Sequence, residues 1–329
     1  MSRIPLPPNR RVTTVGDFVV DLICTIPHLP VQAGEHQLAE SIEVQPGGAG
    51  NFLIAGQRLG LEMRLLGVMG DDTFGSLAAG LLAEEGVNLA GLVRQPGGTT
   101  TQVIVLVDSD GRHVFLGKYG TGPEVPAHAE WFLRIKDAAA LFISGYSLHE
   151  ERLWRAALDC MKFACAEGIP VFFDPGPHVQ GLPLNVIRQA LKYTRVLMLT
   201  EEEIALVTLP EMGDVTGMEA CRRLLVKGPK MICLKRGANG SAVLTLAGEV
   251  EHPGFAVQAL DSNAAGDSYA SAFIYAYLCG WSSLSMLTFA NAMGAAKVRK
   301  IGSGRHVPRL EEVLAVLNEY NQIIVEWME

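Results

Sequence analysis

The chain has 329 residues, 49% of them apolar, with 27 Lys and Arg against 35 Asp and Glu and a formal net charge of −8. An acidic balance of this kind argues against a phosphate-backbone footprint, so no nucleic-acid partner is expected. No segment reaches the roughly 18–20 apolar residues that cross a bilayer, so no membrane partner is expected either. Residues 1–11 hold three prolines and no apolar h-region, which reads as an arm and not a signal peptide. Cys24, Cys160, Cys165, Cys221, Cys233 and Cys279 form no CxxC, and the eight histidines form no HxxxH pair. Buried free thiols in a reducing cytoplasm, without structural zinc, follow.

In chain order, residues 12–23 are apolar enough for a buried strand, and 26–44 hold no good helix. A helix over 51–59, a strand over 63–67 and a helix over 74–85 follow. Residues 99–107 and 112–116 flank Asp108-Ser109-Asp110-Gly111, a hairpin signal with glycine at the turn. Strands at 140–144, 171–174, 196–199, 231–235 and 242–245 then alternate with helices at 151–166, 184–191 and 219–225. The alternation predicts an α/β fold with helices on both faces of a mostly parallel sheet. No repeat, linker or low-complexity tract interrupts it. One domain over 1–329 is expected, with a small β lid from segments near 26–44 and 97–118.

The chemistry concentrates in Asp261-Ser262-Asn263-Ala264-Ala265-Gly266-Asp267, where a loop becomes an apolar helix. First-turn backbone N–H groups lack a helical partner and attract an anion. An aspartate beside such a hole has a natural task in taking a proton from a hydroxyl while the hole holds a phosphoryl group. An ordinary aspartate N-cap on a core helix is the other reading. No GxxxxGK[ST] occurs, which excludes a P-loop. Gly48-Ala49-Gly50 begins like a dinucleotide fingerprint, but Leu53 stands at its third glycine position.

A second segment, Gln45-Pro46-Gly47-Gly48-Ala49-Gly50-Asn51-Phe52, opens another helix, with Gly60 and Gly70 downstream. The two segments together resemble the paired signatures of the ribokinase-like (PfkB) carbohydrate kinases. The match extends from residues 16–21 to Ala290-Asn291-Ala292. Leu53 replaces a usual small residue, Ser262 a threonine and Ala264 a glycine. The resemblance implies a three-layer α/β/α fold with a small β lid, and an ATP-dependent phosphotransferase acting on an alcohol group. A sugar is the first expectation for the acceptor and a nucleoside the second. Ala264 and Thr200 depart from the family pattern and motivate a third reading, a catalytically silent ligand-binding homologue.

The resemblance makes Asp267 the base, with backbone N–H groups around Ala264, Ala265 and Gly266 as the anion hole. Ala264 is expected to adopt an allowed backbone conformation. Asp21 and Asn51 are the substrate candidates, since a carboxylate and an amide suit hydroxyls, and Gly47 and Gly48 permit close approach. Asp17 either shares that face or caps a loop, and Asn51 either binds substrate or is an N-cap. Thr200-Glu201-Glu202-Glu203 resembles the family's Asn-x-x-Glu, so Glu203 either acts on Mg2+ through water or serves the helix dipole. Lys235, Gly237, Gly240 and Ser262 fall on the nucleotide side, where Lys235 either reaches a phosphate or is a solvated strand end. Asn291 lies on the helix that lines the family's adenine pocket. Some relatives hold a monovalent cation such as K+ between the chain at 261–263 and 302–303. A homodimer through the lid is also expected.

Overall fold

The 16 residues of β1 (Arg11–Ile26) belong to two sheets at once. This is seen in a computed structural model that describes residues 4–213, 215–322 and 324. The strands that follow are β2 (Ser41–Gly48), β3 (Glu62–Gly70), β4 (Asn88–Gln95), β5 (Thr101–Asp108), β6 (His113–Lys118) and β7 (Ala140–Ser144). Then come β8 (Val171–Asp174), β9 (Val196–Thr200), β10 (Met231–Lys235), β11 (Ser241–Thr245) and β12 (Gly248–His252). The first half of β1 lies between β7 and β3, parallel to both. Its second half leaves that sheet to pair antiparallel with β2 and parallel with β5, which pairs with β6.

The large sheet runs β12-β11-β10-β9-β8-β7-β1-β3-β4. It is parallel from β10 to β4, and β11 and β12 run antiparallel at one edge. Chain order runs outward from β1 through β3 to β4 on one side and from β7 to β10 on the other. The crevice between β1 and β7 is therefore a topological switch point, the place where open α/β sheets bind ligands.

Alternate side chains of each central strand enter opposite cores, as a period of two requires. Phe142 and Met198 join one core, and Leu141, Ile143, Leu197 and Leu199 the other. Helices Ala49–Arg58, Ala265–Leu278 and Ser283–Val298 cover the first face. Helices Trp154–Ala166, Leu184–Tyr193 and Gly217–Leu225 cover the second. The result is the expected α/β/α fold. Among the described residues no helix is long and apolar enough to cross a membrane.

Several elements depart from the sequence reading. β2 begins only at Ser41 and runs through Pro46-Gly47-Gly48, residues that disfavour strands and hid it. β4 and β12 were not expected, because their apolar alternation is weak. Cys165 is exposed, whereas Cys160, Cys221 and Cys233 are buried free thiols. Asp17 of β1 pairs with Val68 of β3, but its side chain lies outside the described residues.

Candidate active site

Two helix N-termini meet at the switch point. The Ala49–Arg58 helix follows Gly48 at φ 51°, and the Ala265–Leu278 helix follows Ala264 at φ 60°, ψ 7°. Asn51 and Asp267 are each the third residue of their helix. Across 216 positions of sequence, Asn51 Nδ2 donates to Asp267 Oδ2 at 3.1 Å. Neither residue is the N-cap that sequence spacing allowed, because Gly48 and Ala264 take that place. Ala264 also corrects an expectation, since it sits in the left-handed region, at a cost of about 1–2 kcal/mol for an L-residue. Strain of this kind persists where the surroundings over-determine the backbone.

This geometry narrows the anion hole. The Ala265 N–H turns back onto Ser262 O at 3.2 Å. Those of Gly266 and Asp267 are first-turn groups that make no backbone hydrogen bond among the described residues. A Cβ built on Gly266 would stand 3.9 Å from Lys235 Nζ, so an ammonium lies beside the hole. Burial pushes the Asp267 carboxyl up to about 6, helped by the charge of Asp174 and opposed by Asn51 and Lys235.

Asp21 approaches from the second half of β1 and is buried. Ser303 Oγ donates to its Oδ2 at 2.8 Å. Burial lifts its pKa to about 6, and the Ser303 bond works in the other direction. The Gly304 N–H donates to Asn51 Oδ1 at 2.7 Å, so both ends of the Asn51 amide are held. Asp21, Asn51, Gly48 and Asp267 line a cleft of about 460 Å3. Val19, Thr101, Val103 and Phe115 of the small sheet also line it, with Phe142, Tyr119 and Tyr146. Sequence reasoning named the lid segments and the chain at 302–303, but not the bond of Ser303 to Asp21, the role of Gly304, or which lid residues line the cleft. No local pattern marks them, because their roles arise from contacts made hundreds of residues away.

A second cluster sits where β8, β9 and β10 end. Lys235 Nζ donates to Asp174 Oδ2 at 2.5 Å. Burial disfavours the Lys235 charge, but Asp174 and Glu203 outweigh it and raise its pKa. Lys235 is thus no solvated strand end. Burial raises the Glu203 carboxyl, with Lys235 pulling it down and Asp174 pushing it up. Glu203 Oε2 accepts from the Thr200 N–H at 2.8 Å, and Thr200 Oγ1 accepts from the Glu203 N–H at 3.4 Å. This capping box gives Thr200 and Glu203 a structural task.

No group of three or more His, Cys, Asp or Glu able to hold a metal occurs among the described residues. Magnesium bound chiefly by phosphate oxygens and water needs only one or two carboxylates. Asp174 and Glu203 fit that demand, and Asp174 was missed in the sequence.

The other nucleotide-side candidates are dispersed. Ser262 is exposed on the loop before the anion hole. Gly237 and Gly240 flank a tight turn between β10 and β11, and a Cβ on Gly240 would stand 2.0 Å from His252 O. Gly240 therefore serves close backbone packing. Asn291 is buried, with Oδ1 accepting from Ser241 Oγ at 3.2 Å and Nδ2 at 3.1 Å from His252 Nδ1. None of these four lines the cleft.

Gly47 explains how the Asp21 carboxyl reaches its place. A Cβ at residue 47 would lie 2.0 Å from Asp21 Oδ1, so any other residue forces the carboxyl to move. A buried charge-assisted contact is worth about 1.5–3 kcal/mol. Gly47→Ala is therefore expected to raise the acceptor KM roughly 10- to 150-fold, with an unchanged far-ultraviolet circular dichroism spectrum. Steady-state kinetics that match the wild type would remove Asp21 from the binding contacts.

The chain matches the model of the pfkB family carbohydrate kinases over residues 9–310. It is 30% identical over 309 residues to the ATP-dependent ribose-1-phosphate kinase of Halopiger xanaduensis, covering 94% of this chain and 98% of that protein. Its fold is similar to that of Arabidopsis thaliana ribokinase complexed with ribose and ATP, with a TM-score of 0.79 at 23% identity over 95% and 99% of the two chains. Fructokinase with bound ATP from Xylella fastidiosa also aligns at 0.79, with 24% identity over 95% and 100%. Joined through Asn51 and Asp267 and carried on this sheet, the two signatures are those of a phosphotransferase: the chain belongs to the pfkB family of carbohydrate kinases, enzymes that phosphorylate a hydroxyl of a sugar or nucleoside.

Proposed function

We propose that this protein transfers the γ-phosphoryl group of ATP to a hydroxyl of a sugar, with Asp267 as the base. The Asn51–Asp267 hydrogen bond carries this reading, because it brings both signatures to one cleft. Asp21 and Asn51 accept from and donate to sugar hydroxyls, which orients the reacting one toward Asp267. Its proton passes to the Asp267 carboxylate as the O–P bond forms. The bond from the γ-phosphorus to the bridging oxygen breaks, and ADP leaves. The Gly266 and Asp267 N–H groups and the Lys235 ammonium stabilise the charge on the moving phosphoryl group. Magnesium, when bound with ATP near Asp174 and Glu203, supplies further charge neutralisation on the phosphates.

The names of ribose-1-phosphate kinase and of ribokinase with ribose support a sugar acceptor. Val103, Phe115, Tyr119 and Phe142 give the cleft an apolar, aromatic wall, which favours a nucleoside as the second reading. ADP release measured against sugars, sugar phosphates and nucleosides discriminates the two.

Asp267→Asn keeps the size of the side chain and its bond from Asn51 but removes the proton acceptor. Loss of a general base typically costs about 10²–10⁴ in rate, so kcat is expected to fall at least about a hundredfold while MgATP affinity, read by calorimetry, changes little. A wild type inactive on every acceptor, with Asp267→Asn altering only affinity, would establish the silent-binder reading instead.

Burial holds the Asp267 and Asp21 carboxyls at about 6 in the folded chain, well above the usual carboxylate range of the unfolded one. The kcat/KM profile should therefore fall on its acid side around pH 6, as these carboxylates take up to two protons with falling pH. The folded state binds more protons than the unfolded chain between those values, so these carboxyls lower stability as pH rises through that window. At pH 7.5 Asp267→Asn should consequently melt about 2–5 °C higher than the wild type. A flat profile from pH 5 to 8 would remove both carboxyls from the chemistry.

The face of the lid turned away from the cleft supports a homodimer. Ile104 pairs with Leu116 and Leu106 with Val114, while Ile42 lies across from Cys24 on the neighbouring strand. Ile42, Ile104, Val114 and Leu116 are all exposed on that face, an apolar surface that a second copy of the chain would cover. Sedimentation should show a dimer for the wild type and a shift to monomer for Leu116→Lys. A wild-type monomer would end this reading.

A further inference from the structure

Lys297 stands one residue from the end of the Ser283–Val298 helix, and its side chain has no exposed surface. A buried ammonium is costly unless acceptors surround it. Here the acceptors are mainly carbonyls: Nζ donates to Lys300 O at 2.9 Å and to Asp261 O at 3.4 Å, while Asp261 Oδ2 stands 4.0 Å away. Burial pulls the Lys297 pKa down to about 8, and the Asp261 charge resists, so the group stays protonated at neutral pH. Asp261 is itself a tie. Its Oδ1 accepts from the Asn263 N–H and its Oδ2 from the Gly302 N–H, both at 2.8 Å.

The two loops joined here position the reacting groups. Residues 261–264 lead into the helix that carries Asp267. Residues 302–304 supply Ser303 to Asp21 and the Gly304 N–H to Asn51. Some relatives in the family that the sequence resembles hold an exchangeable monovalent cation between these two loops. The residues present do not fit one, because a fixed positive charge already faces the Asp261 and Lys300 carbonyls, and a second cation would be repelled.

We propose that the Lys297 ammonium is a built-in cation that replaces an exchangeable monovalent ion and makes the enzyme independent of potassium. Lys297 is a positioning residue. It acts through Asp261 and the 300–304 loop on Asp21, Asn51 and Asp267. Its activity arm rests on the kinase reading, and its stability arm does not.

The test uses the full chain in NaCl or KCl at equal ionic strength, read by ADP release and by thermal unfolding. The wild type should show the same kcat/KM within about twofold and the same Tm in both salts. Lys297→Ala should lose at least about tenfold in kcat/KM in NaCl, and KCl or NH4Cl should restore much of the loss and raise its Tm. Lys297→Met fills the space without charge and should gain nothing from either salt. Rescue by size and charge of the added ion distinguishes an internal cation from simple packing.

Several results would overturn the proposal. These are severalfold activation or a higher Tm of the wild type in KCl, wild-type behaviour of Lys297→Ala in NaCl, or a folded Lys297→Ala that no cation restores. If Lys297→Ala does not fold in either salt, the wild-type comparison decides. A wild type that phosphorylates no acceptor ends the kinase reading, and the Tm of wild type and Lys297→Ala in the two salts still decides the role of Lys297.

Discussion

A single strand that must satisfy two sheets organises this molecule. β1 pairs with β3 and β7 in its first half and with β2 and β5 in its second. The crossover needs close backbone packing, since a Cβ on Gly67 would stand 2.3 Å from Gly16 O. One continuous strand thus carries the core into the lid, and Asp21 rides on the part that overhangs the cleft. The lid is anchored by main-chain hydrogen bonds to the central sheet, and its position over the switch point follows from the direction β1 takes after residue 17.

Charge at the site is arranged at a cost to the fold. Two carboxyls, Asp21 and Asp267, are held with pKa values near 6 by burial. Ala264 adds backbone strain at the entry to the helix that bears Asp267. Nothing in these features favours folding, and all converge on the same few ångströms of cleft. The large cores on both faces of the sheet offset them, as expected of a chain with nearly half its residues apolar. Lys235 and Lys297 show two ways of keeping a buried ammonium: the first sits against Asp174 beside the anion hole, and the second against carbonyls behind it.

The candidate site is also built from pieces that no local signal connects. Asn51 is fixed at both ends of its amide, with the Gly304 N–H on its oxygen and Asp267 facing its nitrogen. Gly47 matters for the space it leaves to Asp21, four residues before the helix residue that the same signature contributes. The order of glycines in the signature thus encodes a carboxyl position on another strand.

Sequence alone determined the alternation of strands and helices and the two signatures, and it singled out Asp21, Asn51 and Asp267 as candidates, because periodicity and glycine placement are local properties. β7, β8 and β10 have the bounds that their apolar runs indicate. Only the tertiary structure decided what each signature residue touches. Asn51 and Asp267 became partners instead of caps, Ala264 took the left-handed conformation, and Glu203 entered a capping box. It likewise gave Gly240 and Asn291 packing contacts of their own and brought Ser303 to Asp21, Gly304 to Asn51 and the charge of Asp174 to bear on Asp267. Side-chain chemistry is written in the residue, but its partner and its pKa depend on burial and on segments far away in the chain, which no local pattern can carry.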